Sequence, residues 1–344
     1  MLKCLDEGTH FDPQRLVRAV PKNPSSTIYA LRRVFFFCFL FVPVSFIGTR
    51  RQWHCSSHTP IHVALFTDET ASHLSATSVV IRSILKNTQS ANQMTFHIFT
   101  PTEGEALARA VLACYFPKNV DAEIRLHTLQ ANQLSNEHTI LSSSDQRLSN
   151  PLNFARFRLP DLLPEVSKVL YMDIDILVIG DIAKLFRSHL CQNSRKSIAV
   201  AKREATTLGR MLDFGHPVIR RLEVDQSSKV FNAGFMLINL EAWRYYSTSK
   251  AIEQWIRVNE EAHIYSHGTQ PPLLLTFPSP SMYETFDSSW NVDGLGWRLL
   301  SVHELQRARI LHWTGPRKPW QKNGRYKELW HTYEVELCKN VSRV

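Results

Sequence analysis

The sequence has little glycine and lacks the short motifs of the commonest nucleotide-binding proteins. Glycine contributes 12 of 344 residues and no Gly-x-Gly-x-x-Gly occurs, so dinucleotide binding of the Rossmann fingerprint type is unsupported. No Walker loop, zinc-finger spacing or basic helix with groove-reading residues is found, so nucleic acid is not an expected partner. The formal net charge of +9 therefore points to other anions, such as anionic lipid or a phosphate-bearing ligand.

One strongly apolar run could cross a membrane, and it is short for that purpose. Residues 34–48 carry no charge, but a span usually needs about 20 residues, and residues 28–31 can lengthen the run. Residues 1–33 are polar and hold more basic residues than the downstream flank, which favours a cytosolic tail. No small-residue cleavage site is present, so we predict an uncleaved transmembrane signal anchor over 34–48, followed by a stem over 49–60. A buried core helix is the alternative.

Cysteines number 6, and their positions relative to the predicted anchor matter. If the tail is cytosolic, four cysteines face the lumen and allow disulfides in three pairings, with buried free thiols as the alternative. Asn340-Val341-Ser342 is an acceptor sequon for N-glycosylation, usable only in the lumen. The four cysteines are Cys55, Cys114, Cys191 and Cys338.

The remainder of the chain predicts one α/β domain over 61–335 with a C-terminal tail over 336–344. Strand-like and helix-like segments alternate from its start, which predicts a mainly parallel sheet covered by helices. The first segments are strand 61–66, helix 73–87, strand 94–99, helix 103–115 and strand 122–129. Later we predict helix 154–163, strand 197–201, an irregular charged segment over 202–229, helix 241–259 and a last strand over 308–313.

Two aspartates interrupt a buried strand in the middle of this domain. Residues 169–172 are apolar and precede Asp173-Ile174-Asp175, after which residues 176–179 are apolar again. A carboxylate in an apolar strand is costly unless it is paired or binds a metal. We predict that the two aspartates enter a cleft at a strand end and hold a divalent cation, with Ile174 directed back into the sheet. Solvated aspartates are the alternative.

A histidine, a glycine and a lysine near the end of the domain can complete such a site. His312 ends the last predicted strand, and Gly315 and Lys318 follow it. Two carboxylates and an imidazole form a mixed O/N site that suits manganese better than calcium or structural zinc. A loop with a glycine and a lysine beside that metal could hold a diphosphate. A core histidine and a surface lysine are the alternatives.

Several segments together resemble glycosyltransferase family 8, and most of all its glycosyltransferase 8 domain-containing proteins. They occur in family order over residues 61–333, which is essentially the whole folded part. The matching segments are residues 151–157, 168–182, 231–234, 271–274, 295–297 and 311–320.

The resemblance implies an α/β fold of the GT-A type and retaining transfer from a UDP-sugar to a glycan or glycoconjugate acceptor. It implies Mn²⁺, with Mg²⁺ possible, bound by Asp173, Asp175 and His312, and a Golgi membrane protein of single-pass type II with a luminal catalytic domain. Around the donor sugar it places Arg156, Asn232 and Gln270 as catalytic residues. At the nucleotide it places Thr67, Asp68, Asp173, Ile174, Asp175, Gly315 and Lys318.

The chain departs from the family's bacterial galactosyltransferases at positions that concern the sugar. Lys202 and Arg203 occupy a region where those enzymes carry an acid, and Thr269 stands where they carry another. Sugar identity therefore stays open. No carboxylate is obviously placed as a nucleophile near Gln270, so we predict a front-face substitution in which the departing phosphate helps to deprotonate the acceptor.

Three functions are compatible with these observations. The first is an active UDP-sugar glycosyltransferase, the second is a non-catalytic nucleotide-sugar binder or scaffold on the same fold, and the third is a membrane-tethered adhesion protein. The third has no repeat or disulfide framework in its favour. We expect the acceptor to meet residues 202–229 and 278–300, where Trp290 and Trp297 could stack on a sugar, although two core tryptophans are the favoured interpretation.

Overall fold

A computed structural model describes residues 59–117, 120–130, 133, 150–191, 194–266, 268–339 and 341. The predicted tail and anchor, almost all of the predicted stem and the asparagine of the sequon lie outside these residues. Within the described ranges, no helix combines the length and the apolar character that a membrane crossing requires.

The described residues form ten strands in two sheets. In chain order they are β1 (Ile61–Phe66), β2 (Met94–Pro101), β3 (Glu123–Leu129), β4 (Lys168–Met172), β5 (Ile176–Val178), β6 (Ile198–Thr207), β7 (Lys229–Asn239), β8 (Glu284–Phe286), β9 (Val292–Asp293) and β10 (Ile310–His312).

Helices cover both faces of the larger sheet. In chain order the described α-helices are α1 (Ala71–Lys86), α2 (Glu105–Tyr115), α3 (Pro151–Ala155), α4 (Leu159–Leu162), α5 (Ile182–Ser188), α6 (Pro217–Arg220), α7 (Leu240–Tyr245), α8 (Thr248–Ala262), α9 (Gln270–Thr276), α10 (Val302–Arg307) and α11 (Lys327–His331).

The larger sheet has seven strands in the order β3-β2-β1-β4-β7-β6-β8. Four of its six strand pairs are parallel, and β7 runs antiparallel to both of its neighbours. This confirms the prediction of an α/β fold with a mostly parallel sheet. The chain moves outward from β1 through β2 to β3 and then returns to the other side of β1 as β4. The carboxyl ends of β1 and β4 therefore lie beside a topological switch point, where open α/β sheets bind ligands.

The smaller sheet has the order β5-β10-β9 and lies directly beyond the Asp-Ile-Asp sequence. In it, β10 is antiparallel to β5 and parallel to β9, and His312 stands opposite both Ile176 and Asp293. The two apolar runs around the aspartates are thus strands of different sheets. Residues 173–175 form a turn between them, so the strand alternation predicted for Ile174 does not apply. Ile174 is partly buried and packs against the apolar cluster that includes Met172.

Two predicted helices are interrupted, and the backbone shows why. The segment 154–163 consists of α3, a 3₁₀ turn over Arg156–Arg158 and α4, and Pro160 lies in the first turn of α4. Proline has no N–H to donate to the carbonyl four residues earlier, and its ring clashes with that carbonyl in a continuous helix, which favours a break before α4. The segment 241–259 divides into α7 and α8 because Ser247 adopts a left-handed φ of 51°.

Apolar residues pack on both sides of the larger sheet in two clusters. A disulfide between Cys114 of α2 and Cys338 closes the second cluster, with 5.8 Å between the two Cα atoms. Cys338 belongs to a 3₁₀ turn over Glu336–Lys339 and is fully buried. The first residues of the predicted C-terminal tail are therefore attached to the folded domain. The strand β6 also extends into the segment predicted as irregular and ends at Thr207.

Candidate active site

The two aspartates and His312 converge at the junction of the two sheets. One ligand atom from each of Asp173, Asp175 and His312 lies within 4.8 Å of the others. The Nε2 atom of His312 is 3.2 Å from Oδ1 of Asp175 and 3.9 Å from Oδ2 of Asp173. Among the described residues this is the one such group that could hold a metal ion. The predicted trio therefore forms a cluster with the donor set of a divalent-cation site.

Asn291 fixes the ring of His312, and the sequence analysis missed it. The His312 side chain is 1% exposed, and its Nδ1 lies 2.9 Å from Oδ1 of Asn291. An amide oxygen only accepts, so Nδ1 donates, and Nε2 is the ring nitrogen that faces the carboxylates and can ligate a cation. This is the arrangement that outer-shell partners impose on a metal-ligating histidine. The residues present therefore fit a cation at this cluster.

Gly234 of β7 leaves room for the cluster. A Cβ at this position would lie 2.4 Å from Oδ2 of Asp173 and 2.4 Å from Cε1 of His312. Such distances are far below van der Waals contact, so any larger residue would displace a ligand of the cluster. The signal was present in the sequence, because Gly234 belongs to one of the segments that carried the family resemblance.

Arg156 supports Asp173 from the side of the first apolar cluster. Its guanidinium Nη1 lies 3.6 Å from Oδ1 of Asp173 and donates to the carbonyl of Ala233 at 3.2 Å. The hydroxyl of Tyr171 donates to the same Asp173 oxygen at 2.5 Å, and the guanidinium lies over the Tyr171 ring. Arg156 is 6% exposed. It therefore acts on the site as a buried cation next to Asp173.

Lys318 reaches the other aspartate. Its ammonium group donates to Oδ2 of Asp175 and, at 2.9 Å, to the carbonyl of Trp313. Burial raises the pKa of the Asp175 carboxyl, but Lys318 and His312 outweigh burial and hold that pKa well below its usual range. Asp175 is therefore ionised at neutral pH, as a metal ligand must be.

Gly315 gives the loop before Lys318 its shape. Its φ is 114°, a left-handed backbone that favours glycine, and a Cβ would lie 2.7 Å from Cδ1 of Trp297. Trp297 is 62% exposed, whereas Trp290 is 6% exposed. The interpretation of both tryptophans as core residues is thus confirmed for Trp290 and wrong for Trp297, whose indole covers the Gly315 loop at the surface.

Thr67 and Asp68 follow β1 at the switch point, as predicted. Thr67 is buried, and its backbone N–H donates to the carbonyl of Phe99 at 2.9 Å. The Asp68 carboxylate accepts from His73 at 2.7 Å and from the Thr70 hydroxyl at 2.6 Å. Burial raises the pKa of Asp68, but these hydrogen bonds outweigh it and leave the pKa below the ordinary value. An ionised, fixed carboxylate therefore lies at the end of β1.

Asn232 and Gln270 are both tied to the backbone of β7. Gln270 donates to the carbonyl of Phe231 at 3.1 Å and accepts from the N–H of Ala233 at 3.3 Å. Asn232 accepts from the N–H of Gly234 at 2.8 Å. The strand segment before Gly234 is therefore held by both side chains.

A third unexpected residue, Asp293, stands beside Asn232. Its Oδ2 lies 2.6 Å from Nε of Arg203 and accepts from Nδ2 of Asn232 at 3.2 Å. No sequence signal pointed to Asp293, because it comes from β9, more than 60 residues after Asn232. The structure thus places the carboxylate of Asp293 beside Asn232, where the sequence had indicated no carboxylate.

The family model described as glycosyl transferase family 8 matches residues 60–324 of the chain. The chain belongs to this family. The fold agrees with that assignment, since it is the GT-A-like α/β fold of the solved neighbours described next.

Curated relatives and solved structures show the same resemblance. Glycosyltransferase 8 domain-containing protein 1 of Mus musculus is 29% identical over 85% of this chain and 82% of its own length. A probable galacturonosyltransferase 9 of Arabidopsis thaliana is 26% identical over 81% of this chain and 55% of its own length. The crystal structure of the galactosyltransferase LgtC, with donor and acceptor sugar analogues, gives a TM-score of 0.61 at 18% identity. It covers 82% of this chain and 100% of that one.

Replacing Gly234 by alanine is expected to weaken divalent-cation binding at least tenfold, because the new methyl group would displace Asp173 or His312. The dissociation constant for Mn²⁺ can be measured by isothermal titration calorimetry. Gly209→Ala is the matched control, since its Cβ would meet only the side chain of Gln226, which is exposed and can move away. Unaltered Mn²⁺ affinity in Gly234→Ala would show that the cluster does not bind the cation.

Proposed function

We propose that this protein transfers a hexose or pentose from a UDP-sugar to a glycan or glycoconjugate acceptor, with retention of the anomeric configuration. The observation that carries the proposal is the cluster of Asp173, Asp175 and His312 at the switch point of the sheet, packed closely against Gly234. Family membership supports the reaction class. The LgtC crystals held donor and acceptor sugar analogues, which is a property of that protein and supports the same ligand classes here.

The residues of the chain have separable tasks in this proposal. Thr67 and Asp68 border the place where a nucleoside would lie, and Lys318 supplies a positive charge to a diphosphate. Lys318 now neutralises Asp175, and it can move to a phosphate when another cation takes over that carboxylate. Arg156 helps to hold Asp173 in place through its contact at 3.6 Å.

Mn²⁺, or Mg²⁺ in its place, would be held by Asp173, Asp175 and His312 and would supply Lewis-acid stabilisation to the departing diphosphate. The chain's own contribution is to fix the ligands before substrate arrives. Asn291 sets the His312 ring, Tyr171 holds Asp173, and Gly315 permits the loop backbone to approach closely. Preorganised charges of this kind stabilise a developing negative charge without further rearrangement.

A non-catalytic nucleotide-sugar binder is the second candidate function. It is supported by two positions at which this chain lacks the acids of the bacterial galactosyltransferases. Thr269 and Lys202 stand where an acid would act on the sugar in the bacterial enzymes. The same fold and cluster would then bind a nucleotide sugar without breaking it. The two candidates differ in whether Asp175 matters for UDP release.

We also propose that the domain is luminal in the Golgi, behind a type II membrane anchor over residues 34–48. The disulfide between Cys114 and Cys338 supports an oxidising compartment, since disulfides are rare in the reducing cytosol.

Asp175→Asn is expected to lower the rate of UDP release from UDP-sugars by roughly a hundredfold or more, because one missing electrostatic group costs about that much. The assay is hydrolysis of a panel of UDP-sugars with Mn²⁺ by the wild type and the variant. EDTA is expected to weaken UDP binding sharply in calorimetry. Equal, slow release by both proteins would support the non-catalytic binder, and unaltered UDP affinity in EDTA would exclude a metal bridge.

A front-face reaction predicts that no sugar becomes attached to the protein. The carboxylate of Asp293, which accepts from Asn232 at 3.2 Å, is paired with Arg203 and is a poor nucleophile in that state. Intact mass spectrometry of the wild type after incubation with a UDP-sugar and Mn²⁺ is expected to show the unmodified mass. A glycosyl adduct mapped to Asp293 or to any other side chain would contradict the front-face mechanism.

Trp297→Ala is expected to raise the KM for the acceptor while leaving UDP-sugar hydrolysis within about twofold of wild type. The reason is that an exposed indole beside the Gly315 loop can stack on a sugar ring, with a loss on removal of about 1 kcal/mol. Initial rates with varied acceptor test this, and Leu299→Ala, another exposed apolar residue, serves as control. A fall in hydrolysis equal to the fall in transfer would instead place Trp297 in support of the Gly315 loop.

A further inference from the structure

The ion pair between Asp293 and Arg203 has no role in the proposed reaction, although it borders the candidate active site. Both side chains are largely buried, with 16% of the Asp293 side chain and 21% of the Arg203 side chain exposed. Asp293 lies opposite His312 in the smaller sheet, and its carboxylate accepts from Asn232. The pair is thus linked to the cation cluster in two ways. Asp293 pairs with His312 in the sheet, and Asn232 also accepts from the N–H of Gly234.

The carboxylate of Asp293 is only half used. Arg203 and Asn232 both contact Oδ2, and Oδ1 has no hydrogen-bond partner among the residues that the structure describes. An anionic oxygen that is mostly removed from water retains a strong demand for a donor. Water or a ligand hydroxyl can meet that demand.

Arg203 adds donors next to this acceptor. Its Nε faces Asp293, and its terminal N–H groups have no partner among the described residues. A guanidinium carries five N–H donors in a rigid fork, so several of them stay available. The pair therefore presents an acceptor and donors side by side, which matches two adjacent hydroxyl groups of a pyranose, because each hydroxyl both donates and accepts.

We propose that Asp293, held by Arg203 and Asn232, is a specificity-determining residue that recognises adjacent hydroxyl groups of the donor sugar. The inference rests on the proposed function and extends it to the part of the substrate beyond the diphosphate. It assigns sugar recognition to strand β9 and to the chain's own ion pair, in place of the acids that Lys202, Arg203 and Thr269 do not provide.

Asp293→Asn separates recognition from structure. Its amide oxygen can still face Arg203 and accept from Asn232, so these contacts persist, while its NH₂ group replaces Oδ1. The position therefore changes from an acceptor to a donor without a change of size. Glu123→Gln is the matched control, because Glu123 is also paired with an arginine, Arg125, at 2.7 Å and lies at the first residue of β3, away from the carboxyl ends of the strands.

The test measures dissociation constants by calorimetry, with Mn²⁺ present, for UDP, for the best-bound UDP-sugar and for its monodeoxy analogues. In the wild type we expect at least one deoxy analogue to bind about tenfold to a hundredfold more weakly than the parent, the size of one hydrogen bond to a charged group. In Asp293→Asn we expect this difference to fall to less than about threefold, with UDP affinity unaltered. Glu123→Gln should match the wild type throughout.

Each other outcome overturns a defined statement. A wild type that binds all monodeoxy analogues as tightly as the parent overturns the inference without use of any variant, and so does an Asp293→Asn protein that keeps the full discrimination. Equal losses for UDP and UDP-sugar would show that Asp293 acts through His312 on the nucleotide. A wild type that binds no UDP would instead refute the proposed function itself, so the two failures are distinguishable.

Discussion

The buried carboxylate of Asp175 is the constraint on which the candidate site depends. An ionised group with 6% exposure is unfavourable unless opposite charge and hydrogen bonds surround it. Two segments from the end of the domain meet this need, since His312 and Lys318 both contact Asp175. The N–H of Trp313 also donates to the backbone carbonyl of Asp175 at 2.9 Å. The contacts that compensate the charge of Asp175 thus attach residues 312–318 to the switch point of the sheet.

The junction of the two sheets explains how residues 173–175 can place two carboxylates in one site. The larger sheet ends at Met172 and the smaller begins at Ile176. Between them, the N–H of Asp173 still donates to the carbonyl of Gly234 at 2.7 Å. The turn after Asp173 places both carboxylates near His312. The strand β7 borders this junction. Gly234 has no side chain, so β7 can lie close to Asp173 and His312 there. The site therefore lies where the two sheets meet, with Asp173 and Asp175 between β4 and β5 and His312 at the end of β10.

Predictions from the sequence succeeded where they rested on local signals. The strand over 61–66 and the parallel sheet followed from apolar periodicity, and the Asp-Ile-Asp sequence was visible because charge is rare in a buried run. Helix breaks at Pro160 and Ser247 were missed, the second because a left-handed serine carries no compositional mark. Exposure of Trp297 was also missed, since the burial of a tryptophan depends on what packs against it.

The sequence by itself determined the fold class, the family and the members of the cluster of Asp173, Asp175 and His312, because periodicity and short motifs are properties of adjacent residues. Only the tertiary structure decided that Asn291 orients His312, that Gly234 makes room for the cluster, and that Asp293 from a distant strand stands beside Asn232. The physical reason is that these contacts join residues 21 and 61 positions apart or depend on a missing side chain. Such relations arise when strands pair, and no local pattern encodes them.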